Sequence, residues 1–274
     1  ELTPGGSSGG AAAACAAGMG SLHIGTDGGG SIRIPASCTG IFGLKPTFGR
    51  IPAFPHSPFG TLAHIGPMTR TVADAELMFR VLCEHDSRDS FAVRPEYIEQ
   101  RSPDASQWVG KRVAFIERMT GIDVDPDVDE VVKSTLRKLE ASGATIDPIT
   151  LDDDADMRDV FRMHWYSGAR QLSRTFSNDD LEQLDPGFRE VIEESRGFTL
   201  DEFQAAATRR VQVNSRLEQL HDTYDVIVSP AVPIKPFPVN QEVADPVNQR
   251  RWIDWAQYSY LFNLSQQPAA SVPC

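Results

Sequence analysis

The chain has 274 residues, 41% of them apolar, which is enough for a large domain with a substantial core, and the apolar residues are spread too evenly for a disordered segment. Its formal net charge of −12 argues against a nucleic-acid binder, which needs a basic face to displace counterions, and against attachment to an anionic membrane. No apolar run reaches the ~18 residues that a membrane helix needs, and no signal peptide is visible.

In chain order, residues 5–10 read as a flexible glycine loop feeding a small-residue helix over 11–17. A short buried strand is expected over 21–24, a glycine-rich turn over 26–30, and a short helix over 31–38. Pro35 fits that helix only within its first turn or as a break. A second short strand follows over 41–44, then a long Pro- and Gly-rich loop over 46–68, of the kind that often lines a site. Thr71 is placed to cap a helix running to residue 83, with Asp74 favouring its N-terminus.

From residue 113 the pattern alternates. A strand is expected over 113–116, then an amphipathic helix over 128–142. Val131, Val132, Leu136 and Leu139 share its apolar stripe, and Gly143 supplies the stop. A strand over 144–149 precedes the acidic run Asp152-Asp153-Asp154, read as a solvated loop or helix start. Helices are expected over 157–176, 186–196 and 200–224. A buried strand over 226–228, an extended proline-rich segment over 230–238 and a helix over 252–264 complete the series. Alternating strands and helices predict an α/β protein, with a mixed β-sheet core covered by helices on both faces. Residues 270–274 read as a strand just entered, so both ends look cut.

Cys15, Cys38, Cys83 and Cys274 form no C-x-x-C pair and lie near no histidine at zinc-ligand spacing. They point to buried thiols in a reducing, cytoplasmic compartment and to no metal. His23, His56, His64 and His85 are not clustered at metal spacing either and read as surface or core histidines. Trp252, Trp255, Tyr258 and Phe262 follow helical spacing and read as core, although part of that face could line an acyl or aryl pocket.

Two glycine-flanked serines carry the chemistry: Gly5-Gly6-Ser7-Ser8-Gly9-Gly10 and Gly25-Thr26-Asp27-Gly28-Gly29-Gly30-Ser31-Ile32-Arg33. A serine after three glycines, at a helix start, has several backbone N–H groups aimed at one point. That is what an oxyanion hole requires. Ser31 is the candidate nucleophile, and the N–H groups of Gly28, Gly29, Gly30 and Ser31 would hold the developing negative oxygen. Taken alone, residues 5–10 read equally as a linker, and residues 28–31 as a phosphate nest. No P-loop sequence is present, however, and Lys45 lies too far along to serve one. Residues 6–10 also match G-x-S-x-G, but no good strand precedes them, and His164 and His221 sit in helical patterns.

Both serine motifs, followed by Ile41-Phe42-Gly43-Leu44-Lys45-Pro46-Thr47-Phe48-Gly49-Arg50, resemble the amidase signature family. The resemblance continues through residues 66–75 and returns in 225–230 and 263–273. It implies the amidase-signature fold in a single domain over 1–274, cut at both ends. Within it, 1–83 form the signature core, 84–224 a variable substrate-shaping region and 225–274 the return to the core sheet. By the resemblance Ser31 is the acyl-accepting nucleophile, and Ser7 the bridging serine held by a cis peptide bond. Thr26 and Asp27 support the loop, Arg33 is a buried arginine that ties down the site, and Lys45 is structural. Gln266 stands where many relatives have glycine.

The third triad member of the family is a lysine upstream of the first serine loop. The lysines here are Lys45, Lys111, Lys133, Lys138 and Lys235, none before Ser7. The need for that lysine is physical, because a serine hydroxyl is a weak nucleophile until a base takes its proton, and a lysine can do so only when neutral. The implied activity is hydrolysis of a small-molecule carboxamide to a carboxylate and an amine or ammonia, through an acyl-enzyme on Ser31. It needs no metal or organic cofactor and no direct contact with nucleic acid or membrane, and it leaves a homodimer open. The alternatives are the A subunit of a tRNA-dependent amidotransferase, and a non-catalytic truncated homologue.

Overall fold

The computed structural model describes residues 1–94, 104–151 and 156–274. In its first part the elements are α1 (Gly9–Ala16), β1 (Leu22–Asp27), α2 (Arg33–Thr39), β2 (Phe42–Lys45), β3 (His64–Thr69) and α3 (Val72–Leu82). Then come β4 (Arg112–Met119), α4 (Pro126–Ala141), β5 (Thr145–Leu151), α5 (Met157–Ser173), α6 (Asn178–Gln183), α7 (Pro186–Ser195) and α8 (Leu200–Leu220). The chain closes through β6 (Val226–Val228), α9 (Gln257–Leu264) and β7 (Ala269–Ser271). The acidic run 152–154 lies outside the described residues.

Two sheets organise these elements and together give an α/β fold with mixed pairing. One is antiparallel, in the order β1-β3-β2-β7, and joins the start of the chain to its end. The other is parallel, in the order β5-β4-β6. Val113 and Phe115 of β4 pack with Leu136 of α4, whereas Ile116 joins the main core with α5, α8 and α9. Alternate residues of β4 are thus buried on opposite faces, as a parallel strand between helical layers must be. On the antiparallel sheet, Ala12 and Cys15 of α1 pack with Ile32, Ala36, Ile41 and Met68. The small side chains of α1 allow that close approach. Among the described residues, no helix is long and apolar enough to cross a membrane.

The structure corrects several expectations. Residues 64–69 are not loop but β3, paired to β1 on one side and β2 on the other. Gly66-Pro67 hides the strand, because Pro cannot donate within a ladder. Here the β2 ladder stops at Gly43↔Met68, before the residue that has no N–H to give. The strand β1 is longer than expected and exposes Leu22 and Ile24 on one face. Val131 is exposed and leaves the α4 stripe to Val132, Leu136 and Leu139. The expected helix over 252–264 is broken into a short 3-10 turn, Trp252–Asp254, and α9. The turn and capping details hold where side chains act locally: Thr71 Oγ1 accepts from Asp74 N at 3.1 Å.

Gly66 shows how tightly β3 is held. A β-carbon there would sit 1.9 Å from the Leu44 carbonyl oxygen, a backbone atom of β2 that cannot turn aside. Gly66→Ala is therefore expected to destabilise the protein by about 2 kcal/mol or more, read as a lower urea midpoint with an unchanged slope.

Candidate active site

The site is built at the end of β1. Asp27, its last residue, is fully buried. Its carboxylate accepts from the backbone N–H groups of Gly30 at 2.8 Å, Ile32 at 3.2 Å and Arg33 at 3.4 Å. This is a local wrap that shapes the glycine turn from below. The Arg33 guanidinium closes on the same carboxylate through Nε at 2.9 Å and Nη2 at 3.0 Å. It also donates to the Ser259 carbonyl and to Asn263 Oδ1, each at 2.7 Å, and so ties the turn to α9. Asn263 Nδ2 completes the knot by donating to Asp27 Oδ1 at 2.8 Å and to the Asp27 carbonyl at 2.9 Å. Burial alone would raise the Asp27 carboxyl. The Arg33 charge and hydrogen bonds, with Lys45 and Asn263, outweigh it and hold the group well below the usual carboxylate range.

Above this knot the turn needs its glycines. Gly30 has φ +123°, and a β-carbon there would meet Ile34 and Ser259 at 2.6 Å. On Gly29 it would meet Trp252 at 2.7 Å and Phe161 at 2.8 Å, and on Gly28 it would meet Trp165 at 2.8 Å. The loop is therefore backed by aromatic rings from α5 and from the segment before α9. Phe161 stacks on Tyr260 at 4.2 Å and Trp165 on Phe59 at 4.2 Å.

The first serine loop is fastened to the second. Ser8 N donates to the Ser31 carbonyl at 3.1 Å. The Ser8 hydroxyl pairs with the Thr26 backbone in both directions, at 3.1 and 3.2 Å. The Gly6–Ser7 peptide bond is cis, the form the family resemblance implies. Ser7 and Ser31 both open on a cavity of about 320 Å³ and on a second of about 340 Å³. Among the described residues, neither hydroxyl has a hydrogen-bond partner, and the two are not bonded to each other. Thr26, Asp27 and Gly28 line the first cavity only.

Two corrections concern the turn. The helix α2 begins at Arg33, two residues after Ser31, because the amides of Ile32 and Arg33 turn down to Asp27 instead of up to the cavities. For the same reason the Gly30 amide is committed to Asp27 and is not available to an oxyanion. Sequence reasoning gave no role to Ser8, Asn263, Phe161 or Trp165, and read Trp252 as core or pocket wall without placing it on the glycine turn. All but Ser8 are brought in from more than a hundred residues away, which no local spacing reveals.

Lys45 is completely buried. Its Nζ donates to the Gln267 carbonyl and to the Pro46 carbonyl at 3.4 Å, and lies 3.5 Å from His64 Nε2. Burial, helped by the Arg33 charge and opposed by Asp27, pushes its pKa well below that of an ordinary lysine. Burial and the neighbouring Lys45 likewise bring His64 down to about 3. Gln266 sits at φ +63°, a left-handed conformation that suits glycine best. Among the described residues, no group of three or more His, Cys, Asp or Glu is placed to hold a metal ion.

A serine on a glycine turn, facing a cleft in an α/β frame, is the arrangement of an enzyme that works through a hydroxyl nucleophile. The chain belongs to the Amidase family, whose model matches residues 1–274. The glutamyl-tRNA(Gln) amidotransferase A subunit of Methanospirillum hungatei JF-1 is 32% identical over 302 aligned residues, which take in 100% of this chain and 68% of that protein. Its counterpart from Staphylococcus epidermidis RP62A is 29% identical over 298 residues, covering 99% of this chain and 60% of that protein. Among solved structures, a bacterial aryl acylamidase of the amidase signature enzymes superposes with a TM-score of 0.83 at 26% identity, over 99% of this chain and 59% of that one. The glutamyl-tRNA(Gln) amidotransferase A subunit of Thermotoga maritima gives 0.80 at 26% identity, with the same shares. The chain thus spans roughly three fifths of most of these relatives.

Two outcomes follow from the charges. Asp27→Asn leaves Arg33 buried without its counter-charge and is expected to cost about 3–5 kcal/mol of stability at pH 7, measured by urea unfolding. His64 is held neutral down to about pH 3, while the unfolded chain takes up that proton near pH 6.5. Its contribution is complete above pH 6.5 and is lost as the pH falls towards 3. His64→Gln should therefore flatten the loss of stability between pH 6 and 4 by up to about 1.4 kcal/mol per pH unit. An unchanged slope would show that the imidazole is not buried neutral.

Proposed function

We propose that this chain carries the nucleophile end of an amidase that hydrolyses a small-molecule carboxamide through an acyl-enzyme on Ser31. The observation that supports it best is the joint placement of Ser7 and Ser31: two glycine loops bonded at Ser8 N and the Ser31 carbonyl open both serines onto the same two cavities. Ser31 Oγ attacks the amide carbon, and the carbonyl oxygen becomes an anion facing the N–H groups of Gly28, Gly29 and Ser31. The Ser31 proton leaves through Ser7 to a base and returns through Ser7 to the departing nitrogen, since an amide anion is a very poor leaving group. The C–N bond breaks and the amine leaves. Water then takes the same path and releases the carboxylate. The two hydroxyls need not be bonded beforehand, because such contacts tighten when the substrate is in place. In the resemblance the base is a lysine N-terminal to Ser7, and no lysine of this sequence has that position. The setting in this reading is the cytoplasm, and the partner is the amide itself.

The identity to the Methanospirillum hungatei protein favours a second reading, in which the chain is part of an amidotransferase and releases ammonia from glutamine. Glutaminase activity of the full-length protein in a copurifying complex distinguishes it from hydrolysis of simple amides by the full-length protein on its own.

The test uses the full-length protein and a fluorophosphonate probe. Ser31→Ala is expected to abolish labelling and to lower kcat on an amide by about a thousandfold or more, whereas Ser7→Ala lowers kcat but keeps the label on Ser31. Equal labelling of the parent and Ser31→Ala would overturn the assignment.

A further inference from the structure

The two cavities that meet at Ser7 and Ser31 are similar in volume, and Trp165 stands on the wall of both. The first sets His56, His64 and Asp89 among the rings of Phe48, Phe59 and Phe91. The second is walled mainly by Trp165, Trp252, Trp255, Phe237, Ile34 and Val232. Its rings are fixed by one another: Trp165 meets Trp252 edge-on at 5.3 Å, and Phe237 meets Trp255 edge-on at 5.9 Å. Trp255 Nε1 also donates to the Glu242 carbonyl at 3.3 Å, so its polar atom is satisfied and its ring face is left as wall.

Charge is the second observation. The charged side chains on the wall of this cavity are Lys235 and Glu242, and each is already engaged. Lys235 Nζ pairs with Asp127 at 2.6 Å and Asp125 at 3.3 Å. Glu242 accepts from Arg251 Nη1 at 3.1 Å and from Trp252 N at 3.2 Å.

We propose that the second cavity is the subsite for an aromatic group attached to one side of the scissile amide, so that the substrates are uncharged aromatic amides and not free amino acids such as glutamine. The inference rests on the acyl-enzyme reading of Ser31. An amino acid brings an ammonium and a carboxylate, and entry into a ring-walled space would strip both of water with no unengaged counter-charge to receive them. A flat ring loses only apolar contact with water and gains edge and face contacts with Trp165, Trp252 and Trp255. Burial of a ring of that size is worth about ten- to a hundredfold in kcat/KM.

The experiment compares kcat/KM of the full-length protein for acetanilide, benzamide, acetamide and L-glutamine. At least one of the two aromatic amides is expected to exceed both acetamide and glutamine by about tenfold or more. The better of the two tells on which side of the bond the ring sits. Ile234→Trp places an extra ring in the cavity and should reduce the ratio of aromatic amide to acetamide at least about tenfold. Phe237→Ala, on a half-buried extended segment, removes a wall and should raise KM for the aromatic amide; it serves as the readout if the Trp variant does not fold. A parent enzyme that prefers glutamine or acetamide overturns the proposal, and so do folded variants that leave the ratio unchanged. Fluorophosphonate labelling of Ser31 separates the two levels. A labelled enzyme with no aromatic preference defeats this inference alone, while an unlabelled Ser31 defeats the reading beneath it.

Discussion

A carboxylate removed from water must find its donors inside the protein, and Asp27 finds six of them: three backbone amides, two guanidinium nitrogens and one carboxamide. Those donors belong to the glycine turn, to the start of α2 and to α9. One buried charge therefore fixes the relative position of residues far apart in the chain. The turn that presents Ser31 is shaped as much by what its amides do below as by what its glycines permit above. Gly30, Ile32 and Arg33 point their N–H groups down to Asp27, while Gly28 and Ser31 line the first cavity. Without the carboxylate those amides would be buried and unpaired and Arg33 would lose its counter-charge, a larger loss than any single hydrogen bond.

The second constraint is steric. Three aromatic rings, Trp165, Trp252 and Phe161, stand where β-carbons on Gly28 and Gly29 would have to go. The glycines let the rings come close, and the rings in turn hold the loop against collapse into the space behind it. The same rings continue outward as a wall: Trp165 and Trp252 line the second cavity. Support of the loop and the shape of the adjoining space are thus functions of the same side chains. Changing the shape of that cavity would also disturb the turn, unless the change falls on outlying positions such as Ile234 or Phe237.

Much of this is legible in the sequence where the interaction is local. The glycine-serine spacing, the small-residue helix, the Thr71 cap and the alternation of strands and helices from residue 113 all rest on neighbours within a few residues. What escapes depends on distance or on competition. Asn263 lies 236 residues from the carboxylate it serves, and nothing in its immediate surroundings announces that. The strand β3 is concealed by Gly66-Pro67, which act as breakers in isolation but are tolerated here, because the β2 ladder ends before the proline and the glycine is needed for close approach. Helix propensity puts the start of α2 at Ser31, because it cannot anticipate that an aspartate six residues before Arg33 captures the first amides.

Gln266 ties these levels together behind Phe48, a residue of the first cavity's wall. Its left-handed backbone, unusual for a residue with a side chain, lets successive carbonyls point to different partners. Gln266 O receives Phe48 N at 3.1 Å, while Gln267 O receives the buried Lys45 Nζ. Phe48 and His64, which meet edge-on at 5.6 Å, are both on the cavity wall. Lys45 is therefore bound to two carbonyls and set beside an imidazole that burial and the lysine charge together keep neutral. With its donors directed at the backbone, Lys45 joins β2 to the segment before β7. Its depressed pKa then reflects the cost of holding a cation in the core, and its bonds hold in place the segments that carry Phe48 and His64 on the cavity wall.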